Sequence, residues 1–363
     1  MKILFTYRGG YGDVFSIFGV LNRYIAEGGH KITVLCEKPH LFLADSFPGT
    51  NWIENDYQPY LDFERSNKHF ALKKRPGLKV HLLNKSTVRH CFGYLRRESE
   101  YMDFYRKLIR EHDLVVTQYL DVACTSALAH QNGTEWHQVR AWHVFEPETD
   151  TDLGLLNIRS PHCNYYYYPA AVLKGFTPDP LGEYQGFPTD PFSELHDPLN
   201  VGFILGTLRK EKRPKVFVSM GSMFEGHALF HGKYAGLLRD LAALGYLIIV
   251  PQMYRDVINA ISETNNFAYY IPDWFPHDEL IALSDFVIHH GGCGVTNRVL
   301  RQGKRSLVIA HQLDQFYWGT VLENWDMGRM TPAGELDDYE IAGDIDYLTA
   351  NSSAAAEARK IYE

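Results

Sequence analysis

Apolar residues run through this chain in short unbroken blocks, separated by glycine turns and by stretches with helical periodicity. That alternation predicts a parallel α/β protein. "KILFTY" reads as a buried strand, "GGYGD" as a glycine turn, "VFSIFGVLNRYIAEG" as an amphipathic helix closing at Gly28 and Gly29, and "KITVLC" as a second strand. Farther on, "HDLVVTQ" has the look of a buried strand, followed by the helical "DVACTSALAHQ" and a strand over "QVRAWHVF". A parallel sheet built this way presents the loops after its strands to a ligand.

A second series follows a stretch crowded with Pro, Gly and Asp, "GFTPDPLGEYQGFPTDPFSELHDP", which reads as a boundary. In it "LNVGFILGTLRK" is helical, "KVFVSMGS" a strand entering a glycine turn, "HGKYAGLLRDLAALG" a helix and "YLIIVP" a strand. "FAYYIPDW", the helix "HDELIALS", the strand "DFVIHH", the turn "GGCG", the helix "VTNRVLRQG" and the strand "SLVIA" complete it. The simplest architecture is two Rossmann-like α/β domains facing a central cleft. The expected division is residues 1–190, 191–335 and a terminal helical segment over 336–363.

Composition narrows the class. In 363 residues, 45% are apolar and 22% charged, which suits folded cores and excludes a disordered chain. No run approaches the roughly 18 apolar residues that would span a bilayer, and the start breaks into Arg and Gly too soon for a signal peptide. The five cysteines are scattered without CxxC pairs, so they read as free thiols in a reducing, cytoplasmic setting. A net charge of -8 hides a basic, aromatic-rich stretch between Asp56 and Arg110, with 13 Lys or Arg against 6 Asp or Glu. Such a stretch suits a solvated face or a peripheral contact with an anionic membrane; nucleic acid is disfavoured by the acidic remainder and by the absence of a recognition motif.

The most informative segment is "DFVIHHGGCGVTNRVLRQG". A strand ends at His290, glycines turn the backbone tightly, and the next helix points unpaired N–H groups back along the turn, an arrangement suited to phosphate. His290 is the strong side-chain donor there, and Thr296 stands near the helix start.

"HHGGCGVT", then "LRQG" at Leu300–Gly303, then "DQFYWG" at Asp314–Gly319, resemble in order and spacing the nucleotide-sugar signature of family-1 GT-B glycosyltransferases. The likeness is greatest to sterol glucosyltransferases and bacterial antibiotic glycosyltransferases, whose stretch runs HHGGAGTT, LRAG and GDQ-x-FWG. "DWFPHDEL" resembles the family's base-binding W-x-P-Q/H segment, "VFVSMGSM" its strand and phosphate turn, and "YRGGYGDVFSIF" its amino-terminal G-S-R-G-D-V-Q-P. "AWHVFEPETD" resembles an acceptor-side segment of the sterol enzymes.

This resemblance implies a metal-independent, inverting hexosyltransferase that uses a nucleotide sugar, UDP-glucose foremost, as co-substrate with no cofactor. The acceptor would be a lipophilic hydroxyl compound such as a sterol or polyketide. It implies Asp13 as the base that takes the acceptor proton, although Asp is also a common helix cap. His290, Ser222 and the turn from Gly292 through Cys293 and Gly294 to Val295 would hold the diphosphate. Trp274 would stack on the base with the Phe275 backbone at its edge, and Asp314 and Gln315 would bind the sugar hydroxyls. Val295 replaces the family's usual Thr or Ser, Arg298 replaces the ribose-binding Glu of plant members, and the customary proline before the sugar pair is missing from "IAHQLDQ". Two other readings stay open, a catalytically silent relative binding nucleotide sugar or lipid and a nucleotide-sugar epimerase; an NAD-dependent enzyme on "GGYGDVF" and Glu37 fails, because the third fingerprint glycine would fall near Phe15 and the second glycine cluster is left unexplained.

Overall fold

The structure is a computed structural model, and it describes residues 1–7, 11–55, 99–118, 122–141, 161–180, 182–187, 197–221, 231–259, 266–272, 275–311 and 313–363. They form two compact units. The first ends at Ala170 and resumes over Thr177–Pro188; the second comprises Ala171–Phe176 and Thr189–Glu363.

In the first unit the elements are β1 (Lys2–Thr6), α1 (Tyr11–Glu27), β2 (Lys31–Cys36), a 3-10 stretch (Lys38–Ser46), β3 (Asn51–Glu54), α2 (Ser99–Arg110), β4 (Leu114–Gln118), α3 (Val122–Asn132), β5 (Glu135–Arg140), β6 (Cys163–Tyr166) and β7 (Gly182–Tyr184). The strands form one parallel sheet in the order β3-β2-β1-β4-β5-β6-β7. Strand order reverses beside β1, so the crevice at the carboxyl ends of β1 and β4 is the switch point of this sheet. A buried hydroxyl chain ties the ends of these strands to the helices: Thr6 Oγ1 lies 2.8 Å from Thr117 Oγ1, and the Tyr105 hydroxyl donates to Thr6 at 2.8 Å and lies 2.9 Å from Thr125 Oγ1.

The second unit contains α4 (Pro198–Lys210), β8 (Lys215–Ser219), α5 (His231–Ala243), β9 (Leu247–Pro251), α6 (Arg255–Asn259), β10 (Ala268–Ile271), α7 (His277–Leu283), β11 (Phe286–His289), α8 (Cys293–Gln302), β12 (Ser306–Ala310), α9 (Leu313–Asn324), β13 (Gly328–Pro332), α10 (Ile345–Thr349) and α11 (Ser353–Lys360). Its parallel sheet runs β10-β9-β8-β11-β12-β13, with the switch point between β8 and β11. Strands β9 and β12 are buried at every position because helices cover both faces, which is why they read as continuous apolar runs. The terminal helix α11 packs on α8: Arg359 donates to the Gln302 carbonyl at 3.2 Å, and the Tyr362 hydroxyl donates to Asn297 Oδ1 at 2.8 Å.

The Pro- and Gly-rich boundary stretch holds structure of its own. β7 lies inside it, added to β6 as an edge strand, with Tyr184 stacked on Tyr166 at 4.7 Å and Asp179 accepting from the Tyr166 hydroxyl and Asn164. Residues Ala171–Phe176 lie against α9, where Trp325 Nε1 donates to the Val172 carbonyl at 2.8 Å and Asn324 to the Lys174 carbonyl at 2.9 Å. Backbone and aromatic contacts hold these short pieces, so no hydrophobic period announces them.

Cys36, Cys163 and Cys293 are free thiols. Among the described residues no helix is long and apolar enough to cross a membrane. The basic stretch is described only from Ser99, where it forms α2; residues 56–98, and with them most of the membrane-surface expectation, lie outside the described residues.

Candidate active site

The switch point of the second unit brings three chain segments together. Strand β8 delivers Ser219, Met220 and Gly221; strand β11 delivers His289 and His290; α9 begins just after β12 with Asp314 and Gln315 in its first turn. The approach is close. A Cβ on Gly291 would lie 2.7 Å from the Gln315 carbonyl oxygen, and one on Gly221 would lie 2.6 Å from His290 Cε1. Both glycines have positive φ, 88° and 76°, so the turns need glycine for conformation as well as for space.

The two adjacent histidines do different work. His289 is wholly buried, its Nδ1 accepts from the Gly291 N–H at 3.1 Å, and its Nε2 donates to Ser306 Oγ at 3.1 Å. Burial pushes its pKa down to about 3, so the ring is neutral and acts as a brace that shapes the turn. His290 is half-buried, sits between Gly221 and Gly292, and points Nδ1 at the Ser219 carbonyl at 3.4 Å. Of the pair, His290 is the one placed to meet a ligand.

Helix α8 starts with Gly292 as N-cap, and the Thr296 N–H is the first to reach back to a backbone carbonyl, at 3.1 Å from the Gly292 oxygen. The amides of Cys293, Gly294 and Val295 are therefore first-turn donors without an intrahelical acceptor, at the positive end of the helix. The Val295 backbone can serve where its side chain cannot. Thr296 lies in the first turn of α8 as expected, but it is fully buried, and its hydroxyl has no hydrogen-bond partner among the described residues.

Asp314 and Gln315 are held differently. Asp314 is half-buried, and burial lifts its carboxyl from the usual 3.8 to about 6, against the opposing pull of its own amide and that of Gln315. Gln315 is buried and its side-chain oxygen accepts from the His311 N–H at 2.7 Å. That contact ties the side chain to the residue that follows β12. His311 in turn is clamped by the Tyr234 hydroxyl at Nε2. Phe316, Tyr317 and Trp318 are buried packing residues.

The segment expected to bind the base is described from Phe275 onward. Phe275 is buried, and its carbonyl already accepts from His277 Nδ1 at 3.1 Å while His277 Nε2 faces Ser219 Oγ at 3.4 Å. His277 thus ties this segment to the end of β8. Arg298 is a structural cation, paired with Asp278, which Arg301 also meets at 2.5 Å. Burial works to raise the Asp278 carboxyl, and the two guanidinium groups overcome it and hold it below the ordinary carboxylate range. Trp274 and Ser222 lie outside the described residues, as does the 142–150 acceptor-side segment. Asp13 is the third residue of α1, after β1 in the first unit, and its side chain is likewise outside the description.

Comparison with solved structures decides the architecture. The calicheamicin glycosyltransferase CalG4 aligns with a TM-score of 0.67 over 99% of this chain and 93% of its own, at 13% identity. The spinosyn rhamnosyltransferase SpnG, complexed with thymidine diphosphate, aligns with a TM-score of 0.65 over 100% of this chain and 96% of its own, at 16% identity. The chain has the GT-B glycosyltransferase fold. SpnG has also been solved complexed with spinosyn aglycone, at a TM-score of 0.66 and 15% identity. No family model matches the chain. Among curated proteins it is similar to the terpene cyclase-glycosyl transferase fusion protein fsoA of Humicola fuscoatra, 29% identical over 119 residues, which are 32% of this chain and 9% of that protein. It is also similar to a sterol 3-beta-glucosyltransferase of Kluyveromyces lactis, 32% identical over 88 residues, 24% of this chain and 7% of that enzyme. The matched segments thus span less than a tenth of these two relatives.

The structure brings the histidine turn and the Asp314–Gln315 pair to one end of the second sheet. Sequence reasoning missed His277, His289 and His311 as the braces behind them. The first two stand inside quoted motifs, yet only burial and hydrogen bonding distinguish a brace from a ligand contact.

Proposed function

We propose that this chain is a glycosyltransferase that moves a hexose from a nucleoside diphosphate sugar to a hydroxyl of a lipophilic acceptor such as a sterol or polyketide. The observation that carries the reading is the convergence, at one switch point, of His290, the first-turn amides of α8 and the Asp314–Gln315 pair. Similar proteins support it: among them are a rhamnosyltransferase solved with thymidine diphosphate and a sterol 3-beta-glucosyltransferase.

In this reading the leaving diphosphate lies against the amides of Cys293, Gly294 and Val295, with Gly292 allowing the approach and Ser222 adding a hydroxyl. His290 contributes a charge-assisted hydrogen bond: with Nδ1–H directed at Ser219, a proton on Nε2 makes the ring an imidazolium, the form that bound phosphate favours. These groups take up the developing negative charge without a metal. Trp274 and the Phe275 backbone hold the base, UDP being the expected nucleotide, with Asp314 accepting from and Gln315 donating to the sugar hydroxyls. Asp13 takes the proton of the acceptor hydroxyl as its oxygen attacks the anomeric carbon opposite the departing phosphate oxygen, which inverts the configuration.

Calorimetric titration with UDP-glucose and dTDP-glucose tests the reading. Binding of one donor, lost in Trp274→Ala and weakened in His290→Ala, is the expected result; a folded protein that binds no nucleotide sugar refutes it. The replacement of a side-chain donor by Val295 favours a second reading, a silent binder. Turnover with a lipophilic acceptor, abolished by Asp13→Asn, removes that reading.

A further inference from the structure

Helix α4 reads as apolar on every side, "PLNVGFILGTLRK", which is the composition of a buried helix. The structure buries only one side of it. Ile204, Leu205 and Leu208 face the core of the second unit, where α4 packs against α7. On the opposite side, at i and i+4, Leu199 is 84% and Phe203 72% exposed, the two most exposed large apolar side chains among the described residues. Gly202 is exposed beside them, and the face ends in exposed Arg209 and Lys210, with Lys212 just beyond.

The charge pattern selects the occupant. α4 contains no acidic residue; Asp197 at its start is occupied in capping the Leu199 N–H at 3.1 Å, and Glu211 at its end is paired with Arg213 at 2.7 Å. A second copy packed α4 against α4 would bring apolar side chains but no acid from that helix to meet Arg209 and Lys210. An anionic bilayer brings both an apolar layer and negative headgroups at the spacing of one helix lying in its surface. We propose that the outer face of α4 is a membrane-docking surface, with Leu199 and Phe203 entering the interfacial layer and Arg209, Lys210 and Lys212 resting on anionic headgroups. The inference is independent of which sugar or acceptor the active site takes.

Vesicle co-sedimentation of the full chain tests it, with phosphatidylcholine alone and with phosphatidylserine added. The expected result is binding to the anionic vesicles that weakens with salt. Leu199→Ser with Phe203→Ser should lower the apparent affinity on the order of tenfold or more, and Arg209→Glu with Lys210→Glu should remove the preference for phosphatidylserine. Both pairs are in solvent, so circular dichroism and nucleotide affinity should match wild type; Phe203→Gln alone serves if the double variant misfolds. No binding to anionic vesicles overturns the proposal. So does binding that survives both double variants, which would place the contact elsewhere on the chain. A dimer in sedimentation velocity that Phe203→Gln dissolves, without vesicle binding, would assign the face to a second copy instead.

Discussion

Replacing Asp314 by Asn should stabilise the second unit at neutral pH while weakening its hold on a nucleotide sugar. In the folded chain the Asp314 carboxyl has its pKa lifted from 3.8 to about 6 by burial. Between those values the native state keeps a proton that the unfolded state has released, so stability falls as pH rises through the window and the cost is complete above about 6. About 2 pKa units correspond to about 3 kcal/mol; because the residue keeps some solvent contact, about 2 kcal/mol is the working figure. Asn carries no charge and can still accept the first-turn amides of α9. Denaturant titrations followed through Trp318 and Trp325 on and just after α9 should therefore show Asp314→Asn more stable than wild type by about 2 kcal/mol at pH 8, the advantage vanishing near pH 4. Comparing variant with wild type at each pH cancels the opposite trend of His289. That ring, with its pKa pushed down to about 3, costs stability as pH falls below its ordinary value of 6.5. Calorimetry supplies the functional half: UDP-glucose affinity should drop roughly tenfold, the worth of one charge-assisted hydrogen bond, with UDP affinity unchanged. An equal stability difference at both pH values would refute the electrostatic argument, and an equal loss for UDP and UDP-glucose would remove Asp314 from the sugar.

Gln315→Glu should keep the contact with the His311 N–H yet lose the donor, so the fold survives and nucleotide-sugar affinity falls by about tenfold in calorimetry. Gly291→Ala should cost about 2 kcal/mol or more in chemical denaturation, since a Cβ there would lie 2.7 Å from the Gln315 carbonyl at a φ of 88°, and should abolish nucleotide binding by spreading the turn. Arg298→Ala should lower stability by about 2 kcal/mol by leaving Asp278 with only Arg301 and Gln302, while UDP affinity stays within error of wild type, because this arginine braces α7 against α8.

The parts of the fold that were legible are those where burial acts on long segments. β1, β4, β8, β9, β11 and β12 are parallel strands covered on both faces, so each stands out as an apolar block between polar turns. The strand expected over "QVRAWHVF" is instead β5 from Glu135 to Arg140, three residues earlier, because His137 and Gln138 are buried polar residues that break the apolar run. His137 reaches Tyr165 at 2.9 Å and Glu135 at 2.8 Å, a network that local composition does not reveal. β3, β6 and β7 were missed for a related reason. They are three or four residues long; β3 and β7 are the edges of the sheet, and β6 and β7 are joined by tyrosine stacking rather than by an apolar face.

At the site, residue type was legible and partnership was not. "HH" identifies two imidazoles at a strand end, and since β11 is buried at all four positions, no alternation of exposed and buried residues says which imidazole faces the turn. The tertiary contacts decide it: Ser306 from β12 takes one face of His289, the Gly291 amide the other, and only His290 remains beside the glycines. The same logic applies to the Asp314–Gln315 pair. "DQ" read alone names two polar side chains, but the His311 amide meets the Gln315 oxygen, and that amide is held in place by a ring locked to Tyr234 on α5. On the proposed function, a change at Tyr234, far along the sequence, should therefore disturb how Gln315 is presented beside Asp314.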